Sequence, residues 1–266
     1  MRTETRRRAL AVAAVVGLLA GFLSGLFGVG GGILIVPGLV LLLGMGQRLA
    51  HGTSLAAILP IAASGVAGFA AAGAVDWGAG GFVTLGAMAG AWAGTRALRA
   101  VPQLFLRRGF AAFLVATAVR LLLGAPEAAG RAPIDPVGAL ALVGVGLASG
   151  ALAGLLGVGG GIVIVPALVL LFSVPDAVAK GTSLLVIIPT ALVGTVSNVR
   201  HRNCDLPLAA LVGLLGTGSA FLAPHLAVRM SPRLSSGLFA ALLLVVAARM
   251  ALQGERRAPP RIEEVD

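Results

Sequence analysis

The chain has 266 residues, 58% of them hydrophobic and 11% charged, against roughly 25% charged in a soluble domain. So few charges cannot cover a water-soluble fold of this length, and lipid is the solvent that removes the difficulty. The net charge of +10 does not point to nucleic acid, because the arginines stand between apolar stretches, no basic stripe is interleaved with aromatics, and Tyr is absent.

In chain order, residues 1–8 form a basic segment with Arg6-Arg7-Arg8 before an apolar run. That start mimics a signal peptide. The same pattern recurs in mid-chain, where no signal peptide acts, so 1–8 reads as a retained cytoplasmic segment. Apolar segments follow at 9–27, 33–45, 49–72, 80–97 and 104–123. A linker at 125–136 precedes five more, at 137–156, 162–174, 181–199, 206–228 and 234–252, and 253–266 is a polar tail. Most segments are long enough to cross the hydrocarbon core as helix. Segments 33–45 and 162–174 have 13 residues each, or roughly 20 Å as helix, and read as short, tilted or re-entrant pieces. The expected fold is therefore all-α, a polytopic membrane helix bundle of eight to ten membrane segments.

A shift of 129 residues aligns the sequence with itself without a gap. Residues 21–60 fall on 150–189 with 24 of 40 positions identical, and Asp76, Phe110 and Arg120 fall on Asp205, Phe239 and Arg249. The chain thus divides into repeat 1 (9–124) and repeat 2 (137–252), an arrangement common in secondary transporters. Five crossings per half would invert the second half. With each short segment returning the chain to its own side, Arg48, Arg96, Arg99, Arg107, Arg108, Arg200 and Arg202 join the N-terminal arginines in the cytoplasm. Arg229, Arg233, Arg131 and Lys180 disagree, the last two in weakly charged loops.

Chemistry concentrates at four places. The first is Gly28-Val29-Gly30-Gly31-Gly32 and its copy Gly157-Val158-Gly159-Gly160-Gly161. Each glycine costs a helix about 1 kcal/mol relative to Ala, so these runs read as unwound stretches. Such backbone survives at membrane depth only when buried in protein or lining a wet cavity. It leaves amides free at the next helix N-terminus, which attract anions. A tight turn for close packing is the plainer reading. No Lys-Ser/Thr follows, so this is not a nucleotide loop.

The second is His51-Gly52-Thr53-Ser54, matched by Lys180-Gly181-Thr182-Ser183. The hydroxyls suit helix N-caps and would equally donate to an oxoanion. His51 and the lone lysine, Lys180, set a potential cation at matching positions, for charge or coupling or as an ordinary interfacial residue. The third is the set of prolines expected to break helices, Pro37 and Pro166 in the short segments and Pro60 and Pro189 in the long ones. The fourth comprises Gly17, Gly21 and Gly25, Gly146, Gly150 and Gly154, and Gly86, Gly90 and Gly94, whose spacing of four makes smooth packing faces. Such faces serve internal packing and a homo-oligomer alike. Asn198 and His201 end one long segment, and Asp76 and Asp205 open the next and suit caps. A single Cys204 excludes an internal disulfide and a cysteine metal cluster, and His51, His201 and His225 are too sparse for a metal site. No cofactor is expected.

Gly25–Pro37 (GLFGVGGGILIVP), its copy at 154–166, the Gly-Thr-Ser-Leu after each, and Val75-Asp76-Trp77 resemble the TauE/SafE sulfite exporter family across nearly the whole chain. The resemblance implies a multi-pass permease of the cytoplasmic or inner membrane, for sulfite, sulfonates or other sulfur-containing organic anions, usually exported. The chain departs from the repeat pattern at Asp205-Leu206-Pro207 and in the His51/Lys180 difference.

The leading expectation is a transporter of small anions working by alternating access at the repeat interface, with lipid as its surroundings. Its binding set is Gly28, Gly30, Gly31, Gly32, Thr53, Ser54, Gly157, Gly159, Gly160, Gly161, Thr182 and Ser183. His51, Lys180, Asn198 and His201 are candidates for charge or coupling. A non-transporting assembly or sensor subunit, or a carrier of another small solute, is the alternative. An enzyme is not expected, since no Asp or Glu lies inside an apolar segment to pair with a nucleophile or base.

Overall fold

A computed structural model describes residues 2–97, 103–123, 134–156 and 160–252. Within them lie ten helices: α1 (Arg2–Phe27), α2 (Gly32–Leu43), α3 (Gln47–Ala71), α4 (Trp77–Ala97), α5 (Gln103–Leu122), α6 (Pro136–Leu156), α7 (Gly161–Phe172), α8 (Asp176–Arg200), α9 (Leu206–Arg229) and α10 (Pro232–Leu252). No strand occurs among the described residues. The expected all-α bundle is what the chain forms. Among the described residues, five stretches are long and apolar enough to cross a membrane: Leu10–Phe27, Gln47–Ala71, Pro136–Ala153, Asp176–Arg200 and Leu206–Arg229. Large apolar side chains such as Leu41, Leu85, Val137, Leu140, Leu171 and Leu222 face outward. In water that exposure would drive aggregation, whereas lipid accepts it.

The short helices α2 and α7 have 12 residues each, about 18 Å of helix, too little to span. Helix α2 folds back along α1. A Cβ on Gly31 would meet the Ala20 carbonyl at 2.9 Å, and one on Gly38 would meet Val16 Cγ2 at 2.7 Å. Residue numbers thus rise along α2 as they fall along α1. The α2 N-terminus consequently sits beside the middle of the apolar stretch of α1. Gly160 stands against Ser149 of α6 in the same way.

Contacts between helices follow the 129-residue shift. Helix α1 packs on α9, and α6 packs on α4. Glycine makes both contacts backbone to backbone. Gly17 and Gly21 face the carbonyls of Val212 and Gly216, and Gly86 and Gly90 face those of Val143 and Leu147. Small residues allow this approach, which supplies dispersion contact that lipid cannot compete for. At the centre α3 and α8 pair antiparallel, Gly65 against Leu184 and Gly194 against Leu55.

Two reciprocal hydrogen bonds tie the halves. The Asp76 amide donates to Thr182 Oγ1 at 2.9 Å, and the Asp205 amide donates to Thr53 Oγ1 at 3.0 Å. Each aspartate also caps the helix that follows it, accepting from the Ala79 and Leu208 amides at 3.0 Å. That is the cap role expected of Asp76 and Asp205.

Three expectations differ from the structure. Thr53, Ser54, Thr182 and Ser183 are not N-caps, because α3 begins at Gln47 and α8 at Asp176. Lys180 lies in the second turn of α8 and not in a loop. Pro37, Pro60, Pro166 and Pro189 all lie inside helices that continue through them. Neighbours make this tolerable. Gly213 leaves room for the Pro60 ring, since a Cβ there would meet Pro60 Cγ at 2.6 Å. Next to Pro189, Thr190 Oγ1 donates to the Val186 and Ile187 carbonyls at 3.1 and 2.9 Å, in a helix whose ladder the proline interrupts. The interruptions in each half fall at glycine.

Candidate functional site

The first glycine run leaves α1 at Gly28, whose amide makes the last turn to the Ser24 carbonyl at 2.8 Å. Gly28, Gly30 and Gly31 take φ of 71°, 82° and 76°. Only glycine adopts this left-handed region without penalty. Gly31 then stands as N-cap of α2 and offers no side chain to the amides of its first turn. Gly160 does the same for α7, with φ 74°. Each short helix thus begins with two N–H groups that no described residue accepts, at Gly32 and Ile33 and at Gly161 and Ile162, and with the positive end of its dipole. Residues 28–32, 160 and 161 are buried. Gly157 and Gly159 lie outside the described residues.

The two runs meet. A Cβ on Gly161 would strike the Gly28 carbonyl at 2.6 Å, Ser183 Oγ at 2.9 Å and Val29 Cα at 2.9 Å. Ser183 Oγ donates to the Gly28 carbonyl at 2.8 Å. Gly30 rests on Ile58 of α3 and Ile187 of α8, residues matched by the repeat shift. Beside the α2 N-terminus a shallow apolar depression is lined by Leu23, Val29, Gly31, Ile33, Leu34 and Leu242.

Lys180 adjoins the same break. A Cβ on Gly28 would lie 2.6 Å from both the Cα and the carbonyl oxygen of Lys180. The lysine is fully buried. Its Nζ is 2.7 Å from Asp176 Oδ2 and donates to Ser235 Oγ of α10 at 2.5 Å. Ser235 Oγ donates to Asp176 Oδ2 at 2.6 Å. The ammonium also lies 5.7 Å from the Phe27 ring centroid, and Phe27 stacks on Phe239. Sequence reasoning missed Asp176, Ser235 and Phe27. A signal for Asp176 existed: Pro175-Asp176 opens a helix and stands four residues before Lys180. Ser235 is brought in by the fold from 55 residues away, and nothing local announces it.

The expected residues do not all converge. Because α3 and α8 are antiparallel, Thr53 and Thr182 lie near opposite ends of the pair, ~20 Å apart by helix rise. Each hydroxyl already accepts from the other half's aspartate amide. Around the first, Gly52 packs on Asn198 and Asn203. His51 Nδ1 and Ser54 Oγ are buried there with no hydrogen-bond partner among the described residues. Asn198 donates to the Gly194 carbonyl at 2.8 Å, and exposed His201 bonds the Ser197 carbonyl at 2.7 Å. Both finish the α8 C-terminus, far from Lys180. Cys204 follows in the loop, where burial and the Asp205 charge push its thiol up, which keeps it a poor nucleophile at neutral pH.

The model of one family, sulfite exporter TauE/SafE, matches residues 1–121 and 142–265. The chain belongs to the TauE/SafE family. Similar relatives carry coarser descriptions. The "Probable membrane transporter protein YunE" of Bacillus subtilis (strain 168) is 29% identical over 75% of this chain and 82% of its own. A "Probable membrane transporter protein" of Xylella fastidiosa (strain 9a5c) is 30% identical over 81% of this chain and 84% of its own. As a TauE/SafE member with several membrane-crossing helices, the chain is a multi-pass membrane transporter, the class its resemblance implied. Family membership points to transport and not to catalysis.

Proposed function

We propose that the chain carries a small sulfur oxoanion, sulfite or an organosulfonate, across the cytoplasmic membrane by alternating access between two inverted halves. The observation that carries this reading is the meeting of the two glycine breaks beside a buried lysine. Uncapped amides at the starts of α2 and α7 and the Lys180 ammonium are donors, the kind an oxoanion needs, and the Ser183 hydroxyl joins them on release from the Gly28 carbonyl. Carboxylates are scarce there, Asp176 being the one beside the lysine. The antiparallel α3–α8 pair and the exchange of α1 and α6 between halves support an inverted repeat, in which one half rocks against the other. The second break and the polar groups at His51 and Ser54 would then form a matching half-site toward the opposite side. The N-terminal arginines together with Arg48, Arg200 and Arg202 support the cytoplasmic side assigned to them.

Purified protein in vesicles tests the proposal. Labelled sulfite should enter protein-containing vesicles faster than protein-free ones, methanesulfonate should compete, and choline should not. Equal sulfite entry with and without the protein would remove this substrate class.

A further inference from the structure

The Lys180 cluster departs from an ordinary buried ion pair in three respects. First, its charges are unequally buried. The lysine side chain is 1% exposed and the aspartate 20%, so the carboxylate has a way to water and the ammonium has none. Second, the repeat supplies no counterpart. The positions matching Asp176, Lys180 and Ser235 are Gln47, His51 and Leu106. A pair needed only for folding would be expected in both halves, since both build the same helices. Third, it adjoins the glycine break, with Gly28 packed on the Lys180 backbone.

We infer that Asp176 competes with the transported oxoanion for the Lys180 ammonium, and that Ser235 latches the aspartate in place. The inference rests on the anion reading proposed above. An oxoanion offers Nζ what the carboxylate does, a negative oxygen. A buried ammonium stripped of any anionic partner is strongly disfavoured. Lys180 therefore changes partners anion for anion. Asp176, in the first turn of α8, turns toward water as the oxoanion takes its place. Since Ser235 belongs to α10, the exchange also loosens the α10 contact with α8. A site available for only part of the time binds its ligand more weakly in proportion, so Asp176 lowers the affinity for substrate and keeps release fast.

Titration calorimetry of the full chain in detergent, with sulfite as the probe, tests this. Asp176→Asn should bind sulfite about tenfold tighter than the unmodified protein, and Ser235→Ala about threefold tighter, because each weakens the competitor. Lys180→Gln should lose binding. Unchanged or weaker binding in Asp176→Asn, or unchanged binding in Lys180→Gln, overturns the inference. If Asp176→Asn does not fold, Ser235→Ala decides by the same criterion. Vesicle flux of the unmodified protein separates the two readings. Flux together with binding indifferent to Asp176 sinks the competitor alone. The predicted binding pattern without flux keeps the competitor and sinks transport.

Discussion

At Gly28 two demands coincide: a left-handed backbone with φ 71° and a carbonyl 2.6 Å from where a Cβ would stand. Gly44 meets only the first, with φ 66° and nothing within 4 Å. Its repeat partner Ser173 holds the same conformation, φ 50°, with a side chain. The two positions should therefore respond differently to alanine. Gly44→Ala costs about 1 kcal/mol, while Gly28→Ala adds a backbone collision and costs more than about 3 kcal/mol. Melting in detergent reads the difference, and equal shifts would show that the Gly28 contact is not tight. Thr53 offers a second test. Thr53→Val strips the Asp205 amide of its acceptor and should cost about 1–3 kcal/mol, with Thr53→Ser close to neutral. Both glycine runs and both hydroxyl pairs were legible as special positions. Their roles were not: the threonine bonds reach 106 and 152 residues along the chain, and no local pattern encodes a partner that distant.

Among the helices, apolar length and the repeat located nearly every element within a few residues. Segment 206–228 became α9 (Leu206–Arg229) and 137–156 became α6 (Pro136–Leu156). The errors fall at helix starts and at proline. Gln47 and Asp176 are polar and fall outside the apolar segments 49–72 and 181–199, yet a helix entering from the interface begins with polar residues. Proline suggests a break because it frees a carbonyl and its ring clashes with the preceding turn, but packed neighbours here accommodate both. On α1, α4 and α6, Gly17, Gly21, Gly25, Gly86, Gly90, Gly146 and Gly150 behave as their spacing implied, while the surroundings of Gly94 and Gly154 are not described. A Cβ on Gly21 would collide with the Gly216 carbonyl, whereas Gly218 has nothing within 4 Å. Gly21→Leu should part α1 from α9 and abolish a monodisperse elution peak, and Gly218→Leu should leave it intact. A Gly21→Leu protein that elutes normally would mean that α1 does not need backbone contact with α9.

On the scale of the whole molecule, the exchange of helices between halves turns two weakly specified units into one interlocked body. Helix α1 belongs by sequence to the first half and by packing to α9 of the second; α6 reverses the trade with α4. What lies between is a seam of glycine, isoleucine and a few buried donors, without the packed aromatic core of a soluble domain. The proposed alternating access would have to open this seam. Sulfite flux into vesicles by Gly30→Leu tests this account most directly. Gly30 has φ 82°, and a Cβ there would meet Ile187 Cδ1 at 3.1 Å and Ile58 Cγ2 at 3.4 Å, so a leucine fills the seam where the halves meet. The account predicts that this variant, inserted and folded, loses flux that Gly81→Leu, with open space at its Cβ, retains. Undiminished flux through Gly30→Leu would contradict it.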